Sequence, residues 1–299
     1  MVASRFELGR VGIWTGVLDA VPSAEAKRLA GQLEELGFPT LWIPETLGRD
    51  PFVTAALLLS ATSSLHVATG IANIYARDAV TMANTQRTLE EAFPGRFLLG
   101  LGVSHQHLVD RIRHHDYDKP YSAMVRYLDE MDDAMFLAVG PVERPATVLA
   151  ALGPKMLRLA ADKADGAHPY FVPVEHTALA REILGPEPIL APELMVVLDT
   201  DRTRAFETAR KGMAIYLRAP NYVNNLKRLG FSDDDVSDGG SDRLVDAIVS
   251  CGDVDAAHQR VRAHFDAGAS HVCVQVLGDN PTAVPEAAWR DLAPALLSL

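Results

Sequence analysis

Apolar residues along this chain gather into short continuous runs, and each run breaks into Gly, Pro or polar residues as the next segment turns helical. Eight such runs recur: GRVGIW (9–14), PTLWIPE (39–45), LHVATGI (65–71), GRFLLGLG (95–102), TVLAAL (147–152), DGAHPYFV (165–172), PELMVVLD (192–199) and SHVCVQVL (270–277). Runs of this length bounded by turn signals predict strands buried on both faces of a parallel sheet. Between them the pattern predicts helices over 23–36, 51–62, 78–92 and 121–139. Ser23 and Glu25 suit the start of the first helix and Gly37 its end, Asp78 suits an N-cap, and Pro154 opens the helix after the fifth strand. Alternation over the whole length predicts an α/β fold, a (β/α)8 TIM barrel in one domain spanning 1–299. Two insertions stand out: a His- and Arg-rich stretch after strand 4 (104–120), and an excursion over 218–241 between strands 7 and 8. No Gly-x-Gly-x-x-Gly follows the first strand, which argues against an open dinucleotide-binding sheet. Chemistry in such barrels sits on the loops after the strands. Gly70, at the end of the third strand, would let a ligand's flat face approach bare backbone.

Composition narrows the function classes. A length of 299 residues suits one barrel with insertions. With 48% hydrophobic and 22% charged residues, the chain reads as an ordinary soluble globular protein. A net charge of −11 argues against a nucleic-acid partner, while a small anionic ligand held by local cations stays compatible. The N-terminal MVASRFELGR has no apolar signal core, and no run approaches the roughly 20 apolar residues of a membrane span. Only Cys251 and Cys273 are present, so a cytoplasmic protein without structural disulfides is expected.

Several segments occur in an order that resembles the bacterial luciferase-like superfamily, and within it the deazaflavin-dependent oxidoreductases. They are LGFPTLWIPE, the Thr-Gly-Ile third strand with its Arg-Asp-Ala helix start, GRFLLGLGVS, ALGPKMLRLAADKADG and CGDVDAAHQRVRAHFDAGASHVCVQVL. The resemblance covers nearly the whole chain. It implies hydride transfer between coenzyme F420, an 8-hydroxy-5-deazaflavin, and a small organic substrate, with FMN as the alternative cofactor. It also implies a homodimer built through helices near the second and third strands, where Met82, Leu89 and Phe93 form an apolar face.

The resemblance further implies roles for particular residues. A bulge after the third strand, with a cis peptide at Gly70–Ile71, would support the ring, with Thr69, Ala72, Gly102 and Val103 around it. The loop Ala151, Leu152, Gly153, Pro154, Lys155 and Met156 would hold the ribityl phosphate with His168 and Tyr170. The physical basis there is independent: free backbone N–H groups of Gly153, Lys155 and Met156 and the helix dipole would face one anion. Trp14, Thr46 and Asn73 would line the substrate pocket. The best-known sugar-phosphate and alcohol dehydrogenases of this kind carry a His after the second strand and a Glu after the fourth. Here those positions read Pro44-Glu45-Thr46 and Gly102-Val103-Ser104-His105, which counts against those two activities. His105 and Glu45 remain as the proton-handling candidates, His105 being the better suited because its ordinary pKa of about 6.5 lies near working pH.

Other readings compete. An FMN-dependent monooxygenase and a non-catalytic flavin-binding protein would use the same scaffold. His105-Gln106-His107 and His114-His115 suggest a metal-dependent hydrolase, but the first strand supplies no His and no metal is expected. Asp233, Asp234, Asp235 and Asp238 lack the spacing of a calcium loop and read as a solvated, mobile acidic loop.

Overall fold

The structure, a computed structural model, describes residues 6–299; the first five residues of the N-terminal stretch lie outside the described residues. Strands Val11–Trp14, Thr40–Ile43, His66–Thr69, Phe97–Gly102, Thr147–Leu149 and Gly166–Ala167 run parallel, each paired with the next. One bent segment, Ile189–Leu190 continuing into Glu193–Leu198, closes the ring. On one side the N–H groups of Ile189, Ala191 and Glu193 donate to the carbonyls of Asp165, Ala167 and Pro169. On the other, Ser270 and Cys273 donate to Leu190 and Pro192, and Val272–Val276 pairs back onto the first strand. The predicted barrel is therefore the observed one. Two short strands escaped prediction: Ala72–Asn73 against Leu101 and Gly102, and Val249–Gly252 against residues 195–198.

Side chains alternate across the sheet. Trp14, Trp42, Ala68, Leu98, Val148 and Cys273 fill the barrel interior. Ile13, Leu41, Val67, Leu99, Leu149 and Val274 pack outward against the helices. Asp78 caps the helix Ala79–Ala92 through a 2.9 Å bond from the Thr81 N–H, as expected, and Pro154 opens Pro154–Lys163. Ser23, by contrast, is the first helical residue of Ser23–Glu35 and caps nothing. The expected helix over 121–139 ends at Asp132, where Arg87 from the neighbouring helix donates to the carbonyls of Ala134 and Met131. Met82 and Leu89 lie on the inward stripe of their helix and are buried in the core, so they form no exposed dimer face.

The excursion folds as well. It forms the helices Pro220–Arg228 and Asp233–Val236, followed by Asp242–Ile248, over a second core containing Phe171, Met213, Tyr222, Leu226, Phe231 and Leu244. The acidic run is a helical turn over Asp233–Val236 and not a loop: Ser232 and Asp235 cap one another, and Ser241 and Arg243 donate to the buried Asp235 carboxylate.

The barrel interior also holds titratable groups. His168 stacks on Trp42 with ring centroids 4.3 Å apart, and Trp42 Nε1 donates to His271 Nε2 at 3.1 Å. His271 Nδ1 donates to the Gly9 carbonyl, so both bonds require the neutral ring. Burial pushes His168 and His271 down to about 4 and the Glu193 carboxyl up to about 8, and it also pushes His264, packed between the helices Val174–Leu184 and Val254–Asp266 outside the barrel, down to about 3. The signs oppose. As pH falls from 6.5 towards 4, the unfolded chain takes up protons that these native histidines refuse, costing about 3 kcal/mol each. As pH rises from 4.5 to 8, the unfolded chain releases a proton that native Glu193 keeps, and stability falls again. We expect Glu193→Gln to gain stability relative to the parent between pH 5 and 8, measured by denaturant unfolding. A difference independent of pH would mean that Glu193 is ionised in the native protein.

Candidate active site

The third strand ends at Thr69, whose hydroxyl bonds both the carbonyl and the N–H of Gly100 at 2.8 Å, pinning adjacent strands. The Gly70–Ile71 peptide is cis, and the chain resumes pairing at Ala72. Trp14 Nε1 donates to the Gly70 carbonyl at 3.2 Å. A Cβ on Gly70 would stand 2.5 Å from Trp14 Nε1 and 3.2 Å from His168 Nε2. The protein itself thus requires this glycine, and the face expected to be bare is covered by Trp14 and His168. Gly102 is similar, since a Cβ there would meet Ile71 Cδ1 at 2.4 Å. Thr69, Gly70, Ile71, Ala72 and Gly102 therefore form one packed bulge, with Ile71 and Val103 half-buried at the mouth.

Glu45 has a different task from the one expected. Arg77 grips its carboxylate with two bonds of 2.9 and 2.7 Å, and the Asn73 N–H donates to it at 2.7 Å. Its side chain is 7% exposed, and Arg113 stands 3.9 Å away. A carboxylate held this way braces the bulge and is not free to pass a proton. Asn73 is buried too, its side-chain oxygen accepting the Tyr75 N–H, so it does not line an open pocket. Thr46 is exposed and its carbonyl accepts from Arg113.

His105 is half-buried after the fourth predicted strand, Phe97–Gly102. Its Nδ1 donates to Asn221 Oδ1 at 3.2 Å, which leaves Nε2 as the exchangeable position. Its ring lies 5.5 Å from that of Tyr222, and burial lowers its pKa from the ordinary value. Tyr170 lies between Trp14 and the excursion: its hydroxyl donates to Gln275 Oε1 and meets the Tyr216 hydroxyl, both at 2.6 Å.

Across the mouth, Gly153 precedes the helix Pro154–Lys163, and no side chain caps that N-terminus. Lys155 is exposed beside it, Met156 is half-buried, Ala151 is buried, and the Leu152 carbonyl accepts from His176 Nε2. His168 does not reach this loop. It lies in the barrel interior, donating from Nδ1 to the Ala191 carbonyl at 2.7 Å, and a neutral, buried ring offers a phosphate no charge.

Residues 10–271 match the family model described as luciferase-like monooxygenase. The chain belongs to that family. Among luciferase-like relatives, it is 23% identical to a Mycobacterium tuberculosis protein named as a coenzyme F420-dependent oxidoreductase, covering 89% of this chain and 94% of that protein. It is 25% identical to the 5,10-methylenetetrahydromethanopterin reductase of Methanolobus tindarius, covering 85% and 92%. An F420-dependent secondary alcohol dehydrogenase solved with an F420-acetone adduct superimposes at a TM-score of 0.77, with 15% identity and coverage of 97% and 99%.

This luciferase-like barrel uses residues that reading the sequence did not single out. Arg77, Asn221, Tyr216, Tyr222 and Gln275 build the mouth, and Arg228 stands beside Gly153. The only available signal was the Arg-Asp-Ala helix start, which names Arg77 without its partner. Breaking a buried ion pair by removing one partner costs about 3–5 kcal/mol. Glu45→Gln should therefore lower the unfolding free energy by about 3 kcal/mol, seen as a lower denaturant midpoint, with part recovered in the Glu45→Gln, Arg77→Gln double variant. An unchanged midpoint in the single variant would remove the bracing role.

Proposed function

We propose that this luciferase-like protein is an oxidoreductase that transfers a hydride between coenzyme F420 and a small organic substrate. The observation that carries the reading is an uncapped helix N-terminus at Gly153 on the same barrel mouth as the Gly70–Ile71 bulge. The F420-linked relatives named above support it. When bound, F420 supplies a ring carbon at position 5 that accepts or gives a hydride and does not readily activate oxygen. The bulge, with Ile71 and Val103, would bear one ring face, and Gly153, Lys155 and Met156 would hold the phosphate through backbone N–H groups.

His105 handles the proton in this reading. With Nδ1 donating to Asn221, Nε2 is bare in the neutral ring, so only the imidazolium can give a proton from that atom. Substrate reduction should then slow as pH rises through the lowered His105 pKa, and substrate oxidation should slow as pH falls through it. Trp14, Tyr170 and Tyr216 would exclude water around the substrate.

Compartment and assembly belong to the same reading. Free Cys251 and Cys273 fit a reducing cytoplasm. Among the described residues no helix is long and apolar enough to cross a membrane. Exposed Val53 and Val80, on helices whose starts Arg77 and Asp50 tie together, support a homodimer through that side.

Fluorescence titration should give micromolar or tighter F420 binding, with FMN at least about tenfold weaker, near 1.4 kcal/mol. Equal or tighter FMN binding would favour the flavin monooxygenase alternative. His105→Ala should lower turnover at least about tenfold, flatten the pH profile and leave F420 affinity within about twofold. Full activity with an unchanged profile would remove His105 from the mechanism.

A further inference from the structure

We propose that Arg228, oriented by Asn225, is a phosphate-binding residue that closes on the helix N-terminus at Gly153. The inference rests on the reading above in taking the ligand's phosphate to be that of the cofactor. Arg228 belongs to the helix Pro220–Arg228 of the excursion, far in sequence from the loop it meets. Its Nη1 and Nη2 lie 3.4 and 3.8 Å from the position a Cβ on Gly153 would occupy.

Electrostatics make this arrangement informative. The N-terminus of Pro154–Lys163 carries partial positive charge, and a cation is the wrong neighbour for it. Lys155 adds a second cation in the first turn. Among the described residues Arg228 has no carboxylate within ion-pair distance; its hydrogen bond runs from Nη1 to Asn225 Oδ1 at 3.1 Å. In a chain of net charge −11, the helix N-terminus, Lys155 in its first turn and Arg228 beside Gly153 have no ion-pair partner among the described residues. The remaining observation is Asn225 itself. It is 1% exposed, and its Nδ2, on the carboxamide that holds Arg228, has no partner. A buried donor left unpaired is costly, and a ligand oxygen would satisfy it. One anion would resolve both problems, and the planar guanidinium fork suits two phosphate oxygens. The same helix carries Asn221 and Tyr222, the neighbours of His105, so a bound phosphate would hold the proton-handling residue's partners in place.

The test compares the parent, Arg228→Ala and Arg228→Lys against F420 and against its phosphate-free ring-and-ribityl core. Arg228→Ala should weaken F420 binding at least about tenfold and leave binding of the phosphate-free core within about twofold, with Arg228→Lys intermediate. No loss, or equal loss for both ligands, would overturn the proposal. A third arm uses inorganic phosphate, which should raise the parent's thermal midpoint more than that of Arg228→Ala. If the parent fails to bind F420, the functional reading falls, and the phosphate arm alone decides Arg228: an equal response in the two proteins sinks it.

Discussion

A parallel barrel must pair its last strand with its first, because any open edge would leave backbone donors and acceptors unsatisfied. Here closure depends on residues 189–198, which donate to one wall and accept from the other on either side of the break at Ala191 and Pro192. With the ring closed, alternate side chains have only the interior to occupy, and Trp14, Trp42 and Cys273 fill it. That interior is dry enough to keep two histidines, His168 and His271, neutral and one glutamate protonated. The loops beyond the strand ends are then presented together on one rigid rim.

The rim is made of two halves with different physics. On one side the Gly70–Ile71 bulge is packed from below by Trp14 and His168 and braced by the Glu45–Arg77 pair. Its glycines serve the protein's own packing, leaving Ile71 as the half-buried apolar surface at the mouth. On the other side the excursion, which has its own core, leans over the barrel and brings Tyr222, Asn221 and Arg228 to the mouth beside Tyr216. The apolar side suits a flat ring, and the cationic side suits an anion. A molecule that carries both a flat ring and an anionic group, as coenzyme F420 does, has the features that the two halves of the proposed site call for.

Much of this was legible along the chain. The apolar runs predict the strands because a strand buried on both faces has little room for polar side chains. Asp78 and Pro154 mark helix starts, and Gly37 ends a helix at φ +91°, because caps and backbone dihedrals are local properties of two or three residues. The sequence by itself thus determined the strand and helix order, the closed-barrel class and the Gly153-Pro154 helix start after the fifth strand. Tertiary structure alone decided which ionisable groups are free. Glu45 and Arg77 meet across 32 positions, and His105 and Asn221 across 116. His168 faces the barrel interior instead of the loop above it. A shift of one residue in strand register reverses every side chain's face, and long-range pairs form only once the ring has closed. Chemistry-bearing side chains are therefore named by the sequence but assigned their roles by packing.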